Sequence, residues 1–517
     1  MKLTQIAAWS LLLLHGLCGG AAAAQTVSRL PWFEQGRPSA QALQAVAILA
    51  DAASDGLDPL DYRVQELQAA IDRAGAATAP DSGAQVRLET ALTRSMQRYL
   101  SDLHSGRIDP LQIHARFELP RNRSFEPDAA LGAALAAHRL PLAAREAAPQ
   151  LSQYAQLRGL LRQYQALGAH PAWAQPLAPP ARSKLEPGQS YPDLGRLAQR
   201  LQALGDLGPG AGLPVSYDDT LAAAIRSFQQ RHGLAEDGVI GRSTLAALNV
   251  APAQRAQQIA LALERLRWTP LLEGPRMIVV NVPEFVLRAY ETRGEQVDVK
   301  LEMKVVVGRA LNTRTPLLGA DLRAIEFSPY WNVPRSIARA ETVPRIRRDP
   351  AYFRQQGFEF VGQDGKASTT LGAAQLDAVL RGELRIRQRP GPNNALGDIK
   401  FVFPNSDDIY LHHTPALQLF ERDRRDFSHG CIRVQEPVEL AKFVLRNQAE
   451  WTETRIRAAM DHGVSQTLRL DQPLPVLIVY VTALVKQGRG YFYTDLYGQD
   501  RLLEQVLRQR NARMPPS

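Results

Sequence analysis

From residue 25 to about residue 182 apolar positions recur at helical spacing, as in Ala42, Leu43, Val46, Leu49 and Ala50, or Leu88, Leu92, Met96 and Leu100. This pattern predicts an α-helical domain of several helices. DGLDPLDY (Asp55 to Tyr62) and SGRIDP (Ser105 to Pro110) gather the glycines and prolines that turn the chain between them. Pro176, Pro179 and Pro180 mark a linker. A compact unit follows over 186–250, with Leu194, Leu197 and Leu201 on one helix face and Leu221, Ile225 and Phe228 on another. Asp237-Gly238 makes a turn, and Ser243 can cap a third short helix.

A helical connector over 251–274 leads into a different pattern. MIVVNV (Met277 to Val282), FVLRAYE (Phe285 to Glu291) and VDVKLEMKVVVG (Val297 to Gly308) alternate or run β-branched, as strands do. IKFVF, IYLHH, LPVLIVYVTALV (Leu474 to Val485) and YFYTDLYG (Tyr491 to Gly498) continue the series. The stretch 336–385 interrupts it with helix-like, polar sequence and predicts a helical lid insertion; a C-terminal extension begins near 457. The fold class is multidomain α+β: a helical N-terminal domain, a three-helix module, and a β-rich domain over 275–517.

Composition sets limits on this picture. At about 100 to 200 residues per domain, 517 residues hold three or so units. With 45% hydrophobic and 22% charged residues, the chain is neither disordered nor a multi-span membrane protein. The net charge of +9 is spread thinly, which gives no argument for nucleic acid. The first 24 residues run from Lys2 through an apolar segment to Ala22-Ala23-Ala24, as a signal peptide does; a retained membrane anchor is the other reading. Cleavage removes Cys18 and leaves Cys431 as a lone thiol in an oxidising compartment, either buried and inert or kept for its chemistry.

The chemistry gathers around that thiol in IYLHHTPALQLFERDRRDFSHGCIRV, Ile409 to Val434. A cysteine nucleophile acts as its thiolate, so a base must lie close. His412, His413 and His429 are the candidates. Gly430 before the sulfur suits a tight turn that points backbone N–H groups at one place, as an oxyanion hole requires. The same residues admit a zinc reading through His412, His429 and Cys431, with no fourth ligand in view.

His412, fifteen intervening residues, then Ser428, His429, Gly430 and Cys431 resemble the signature of the L,D-transpeptidase (YkuD-type) family. SPYWNVPRSIA (Ser328 to Ala338), RPGPNNALGDIKFVFPN (Arg389 to Asn405) and LHHTP (Leu411 to Pro415) are similar to its large multidomain branch. FQQRHGLAEDGVIGRSTLAALN likewise resembles the three-helix peptidoglycan-binding module; Phe228, Leu234, Val239, Ile240 and Leu245 read as its core. His413 stands where the family more often has Gly or Asp, and Arg433 where the shorter signature has Asn.

The resemblance implies acyl transfer in the periplasm without a cofactor or metal. Cys431 would attack the diaminopimelate carbonyl of a tetrapeptide stem and expel D-alanine. His412 would be the base, and the N–H groups of Gly430 and Cys431, with His429, would hold the oxyanion. Ser428, His413, Arg433 and Trp331 are the candidate substrate-binding residues. The acceptor would be another stem, giving a third-to-third cross-link, or a lipoprotein lysine. Other wall-synthesis enzymes are the implied partners, and carbapenems the implied acylating agents. An L,D-carboxypeptidase and a non-catalytic wall-binding scaffold are the rival readings.

Three further features carry a plain structural reading beside the functional one. Arg433 is either a carboxylate clamp or the partner of Glu436 or Glu439. Trp331 lines a groove or packs under the lid. Arg335, Arg339, Arg345, Arg347, Arg348, Arg381, Arg385, Arg387 and Arg389 form a basic rim that either attracts anionic stem peptides or is merely solvated.

Overall fold

The computed structural model describes residues 31–114, 125–210, 216–269, 274–294 and 296–513; the segment read as a signal peptide lies outside the described residues. Helices Ala40–Ala50, Val64–Ala76, Ser82–Ser105, Pro127–Ala136 and Leu140–Ala147 enclose one core that includes Trp32, Leu49, Tyr62, Leu92 and Leu100. Side chains start two of them: Ser39 accepts from the Ala42 N–H and Asp81 from the Ala84 N–H.

Helix Ser152–Ala166 leaves that core. Its Leu157, Leu161 and Tyr164 pack against Ile259, Leu263 and Leu266 of helix Pro252–Trp268 and against Phe492 near the C-terminus. The residues read as a connector are therefore a buried joint between domains. Glu264, fully buried on that helix, is satisfied by Arg107 at 3.0 Å and Arg267 at 2.9 Å, as a charge in this setting must be.

The module has the expected three helices, Leu194–Ala203, Asp219–Arg231 and Arg242–Leu248, around Leu197, Leu201, Ile225, Phe228 and Ile240. Gly241, not Ser243, occupies the N-cap of the third. The proline-rich linker packs onto the module: Leu177 is buried, and the Asn249 side chain bonds both its N–H and its carbonyl.

The last domain is built on nine strands: β1 (Arg276–Asn281), β2 (Val286–Arg293), β3 (Gln296–Gly308), β4 (Leu318–Phe327), β5 (Ile399–Val402), β6 (Leu411–His412), β7 (Asp426–Ser428), β8 (Ile432–Val434) and β9 (Gln466–Val479). Their order is β7-β3-β8-β6-β5-β4-β9-β1-β2, and β2 pairs back onto β3, which closes the sheet into a barrel. Ile278, Leu287, Val305, Ile325, Phe401, Leu411 and Ile432 lie in its core, so Lys400, His412 and Arg433 point the other way. The C-terminal extension supplies β9, between β4 and β1, and is part of the barrel.

Between β4 and β5 the insertion forms a subdomain of its own. Besides helices, it carries a four-stranded sheet of Trp331–Asn332, Phe358–Val361, Ala367–Ser368 and Arg385–Gln388 over a core of Phe353, Phe358, Phe360 and Ile386. A C-terminal hairpin, Ala483–Lys486 with Arg489–Phe492, ties the barrel to the module: Arg231 donates to the Gly490 carbonyl at 2.7 Å and Arg489 to Ser227 Oγ at 3.0 Å. Among the described residues no helix is long and apolar enough to cross a membrane.

Candidate functional site

β6 and β8 run side by side and parallel, with Leu411 opposite Ile432 and His412 opposite Arg433. The Ile432 N–H donates to the Tyr410 carbonyl at 3.1 Å. This register places Tyr410, His412, Cys431 and Arg433 on one face, turned away from the core that takes Leu411 and Ile432. Lys400 of β5, opposite His412, and Glu326 of β4, opposite Lys400, continue the row and form an ion pair at 3.1 Å.

The turn before the sulfur is fixed by short local bonds. Ser428 Oγ donates to the Cys431 carbonyl at 2.5 Å and accepts the Gly430 N–H at 3.2 Å. Gly430 sits at φ 122°, a conformation that side-chain-bearing residues rarely adopt. Behind it, Thr315 Oγ1 donates to the Gly430 carbonyl at 2.7 Å while accepting the Gly308 N–H at 2.9 Å. The Tyr497 hydroxyl in turn donates to the Gly308 carbonyl at 2.6 Å. The C-terminal extension thus buttresses the turn before Cys431 from 182 residues beyond Thr315.

The Cys431 Sγ faces the Asp408 carbonyl at 3.6 Å, with Tyr410 adjoining it at the end of β6. Burial pushes the thiol up from its ordinary range, opposed by hydrogen bonds from Tyr410 and by the Lys400 ammonium. Tyr410 is itself pushed up by burial and by the neighbouring sulfur, so it remains a donor.

His412 is 4% exposed, and its Nδ1 faces the His413 carbonyl at 2.5 Å. A neutral imidazole that donates from one ring nitrogen keeps a lone pair on the other. Burial first, then the Arg433 guanidinium, pulls the imidazole down to about 3. His413 is taken elsewhere: its Nδ1 pairs with Asp398 at 2.7 Å, and its ring lies so close to Gly397 that a Cβ there would come within 2.7 Å. His429 turns to the lid and meets Glu341 Oε1 at 2.7 Å. The three ring partners differ, and the described residues contain no cluster of three or more His, Cys, Asp or Glu that could hold a metal ion.

Arg433 is half-buried, and its Nε finds no hydrogen-bond partner among the described residues. Glu439 is paired with Lys442, so the structural ion pair read from the sequence is not formed there. Burial and the nearby Arg309 lower the Arg433 guanidinium. Trp331 lies in the lid sheet opposite Gln388 and packs on the lid core. The basic rim is partly neutralised, because Arg347 pairs with Asp377, Arg381 with Glu383 and Arg387 with Glu359. Tyr410, Thr315 and Tyr497 were not legible as site residues; only the register of β6 against β8 brings the first into view.

Three family models match: "Scaffold domain" over 24–161, "Putative peptidoglycan binding domain" over 190–248 and "L,D-transpeptidase catalytic domain" (YkuD) over 275–459. A curated protein of Haemophilus influenzae named "Putative L,D-transpeptidase" is 32% identical over 245 residues, covering 47% of this chain and 48% of that protein. The chain therefore spans about half the length of that relative. Epoxide hydrolase 1 of Sus scrofa is 24% identical over 102 residues, 20% of this chain and 22% of that one. The solved structure of Bdellovibrio bacteriovorus Bd1075 is 13% identical and covers 46% of this chain and 56% of its own, with a TM-score of 0.17 that carries no argument.

Proposed function

Residues 275–459 are a YkuD-type L,D-transpeptidase catalytic domain joined to a peptidoglycan-binding module, and on that premise we propose that the protein remodels peptidoglycan by acyl transfer through a Cys431 thioester. The observation that supports this is one strand pair carrying a half-buried thiol, a neighbouring tyrosine, a neutral imidazole and a guanidinium whose Nε has no partner among the described residues, all on the same face.

In this reading the resting pair is thiol and neutral imidazole. On donor binding, His412 Nε2 takes the thiol proton while the Tyr410 hydroxyl and Lys400 favour the developing thiolate. The sulfur attacks the carbonyl of the third residue of a tetrapeptide stem; the C–S bond forms and the peptide bond to D-alanine breaks. The imidazolium gives its proton to the departing amine. The Cys431 N–H holds the oxyanion, with Gly430 once its N–H leaves Ser428, and His429 beside them. An acceptor amine then displaces the thiolate, forming a new amide and restoring the thiol.

Arg433 has no carboxylate partner among the described residues and is suited to clamp a stem carboxylate. The acceptor is the side-chain amine of another stem, giving a third-to-third cross-link, or a lipoprotein lysine. A protein acting on the wall would work outside the cytoplasm, and the apolar segment read as a signal peptide would take it to the periplasm. Wall-synthesis enzymes are the partners, and carbapenems acylate the same sulfur.

The test is incubation of the full chain and its Cys431→Ala variant with tetrapeptide muropeptides, followed by mass spectrometry. Cys431-dependent dimers support cross-linking, and tripeptides alone reassign the protein to L,D-carboxypeptidase chemistry. Products that do not depend on Cys431 contradict the proposal.

A further inference from the structure

The seam between lid and barrel gathers more positive charge than it neutralises. Arg309 follows β3 and is anchored beside the nucleophile turn, its N–H donating to the Ser428 carbonyl at 3.1 Å. Its guanidinium lies near enough to Arg433 to depress that group's affinity for a proton, and neither arginine has a barrel carboxylate as ion-pair partner among the described residues. His429 adds a third nitrogen donor. Among the described residues the anionic group that meets this cluster comes from the lid. Glu341 places a single oxygen, Oε1, 2.7 Å from His429 Nε2 and 3.8 Å from Arg309 Nη1.

Glu341 belongs to a five-residue π-helical turn, Ala338–Thr342, and its side chain is 49% exposed. A wide turn of this kind is rare overall and frequent at functional sites. Half-exposed ion pairs hold little net energy, so another anion can displace Glu341 at small cost.

We propose that Arg309 and His429 form a carboxylate subsite for the donor peptide, and that Glu341 occupies it in the free enzyme as a built-in stand-in for that carboxylate. The subsite rests on the transpeptidase reading above for its ligand, a stem peptide rich in carboxylates. On binding, one stem carboxylate takes the place of the Glu341 oxygen, and Arg309 becomes a specificity residue next to Arg433. Glu341 then sets how hard the donor must compete to enter.

Calorimetric titration of the full-length Cys431→Ala protein at low salt isolates binding from turnover. The probes are a synthetic tetrapeptide stem with free carboxylates and a set of the same stem amidated at one carboxylate at a time. Arg309→Gln is expected to weaken the free-acid stem about tenfold and to leave the affinity of one amidated stem unaltered, that stem lacking the recognised group. Arg309→Lys restores most of the loss, and Glu341→Gln tightens the free-acid stem several-fold. Equal weakening of every stem by Arg309→Gln overturns the subsite, as does a Glu341→Gln variant that binds acid and amide stems alike more weakly, the behaviour of a simple lid latch. Should Arg309→Gln not fold, the Lys and Glu341 variants decide the matter. Failure of the catalytic reading shows separately, as wild-type protein that releases no D-alanine while these affinities stand.

Discussion

Tyr410 and Cys431 adjoin at the end of the parallel pair formed by β6 and β8, where the Ile432 N–H donates to the Tyr410 carbonyl at 3.1 Å. A hydrogen bond to a charged group contributes about 1.5–3 kcal/mol, and one from the Tyr410 hydroxyl would favour the thiolate over the thiol, the direction in which Tyr410 acts on Cys431. Tyr410→Phe keeps the ring and removes the donor. The variant's thiol should ionise at higher pH, and its alkylation by iodoacetamide near neutral pH should slow by about tenfold. An unaltered alkylation profile would remove Tyr410 from the account.

Thr315 links the nucleophile turn to the barrel by serving the Gly430 carbonyl and the Gly308 N–H at once. Thr315→Val is nearly isosteric and leaves both backbone groups without that partner. Leaving buried polar groups unpaired costs about 1–3 kcal/mol, so the urea midpoint should fall. Because the turn carrying Cys431 loosens, kcat should drop more than KM rises, and Thr315→Ser should recover most of both. A stability loss with kcat intact would mean that the bond holds the barrel together and does not position the sulfur.

His412 makes the fold sensitive to acid in a defined direction. Its native pKa is held down to about 3 by burial and by Arg433, whereas an exposed histidine titrates near 6.5. Between those values the unfolded chain binds a proton that the native chain refuses, so stability falls as pH drops from about 6.5 towards 3. Buried His232 and half-buried His114 are lowered too and push the same way. Urea midpoints taken from pH 7 to pH 4 should fall less steeply for His412→Asn than for wild type. Parallel curves would show that His412 is not buried as a neutral ring.

Much of this architecture is written in local pattern. The β-branched runs of β1, β2 and β3 and the helical spacing of the first core are legible because packing on one face sets them residue by residue. The spacing from His412 to Cys431 is legible through the family signature it resembles, although β7 intervenes between β6 and β8. What stays hidden depends on distant pairing. Tyr410 reads as one more aromatic strand residue until β6 is laid against β8. Thr315 and Tyr497 meet only when the barrel closes, and Glu341 reaches His429 across 88 residues. β9 is obscured by Asp471, Gln472 and Pro473, at the point where its pairing with β4 shifts register between Arg469 and Leu474. The lid strands are short and carry charges such as Glu359 and Arg387, whose mutual ion pair only the fold supplies.

The central claim is a covalent one, and intact-protein mass spectrometry of the full chain mixed with a tetrapeptide stem tests it most directly. The account predicts an adduct with the mass of the stem less its terminal D-alanine, mapped to Cys431, absent from Cys431→Ala and strongly reduced in His412→Asn. D-alanine released with no adduct on Cys431, at the same rate in wild type and Cys431→Ala, would contradict it.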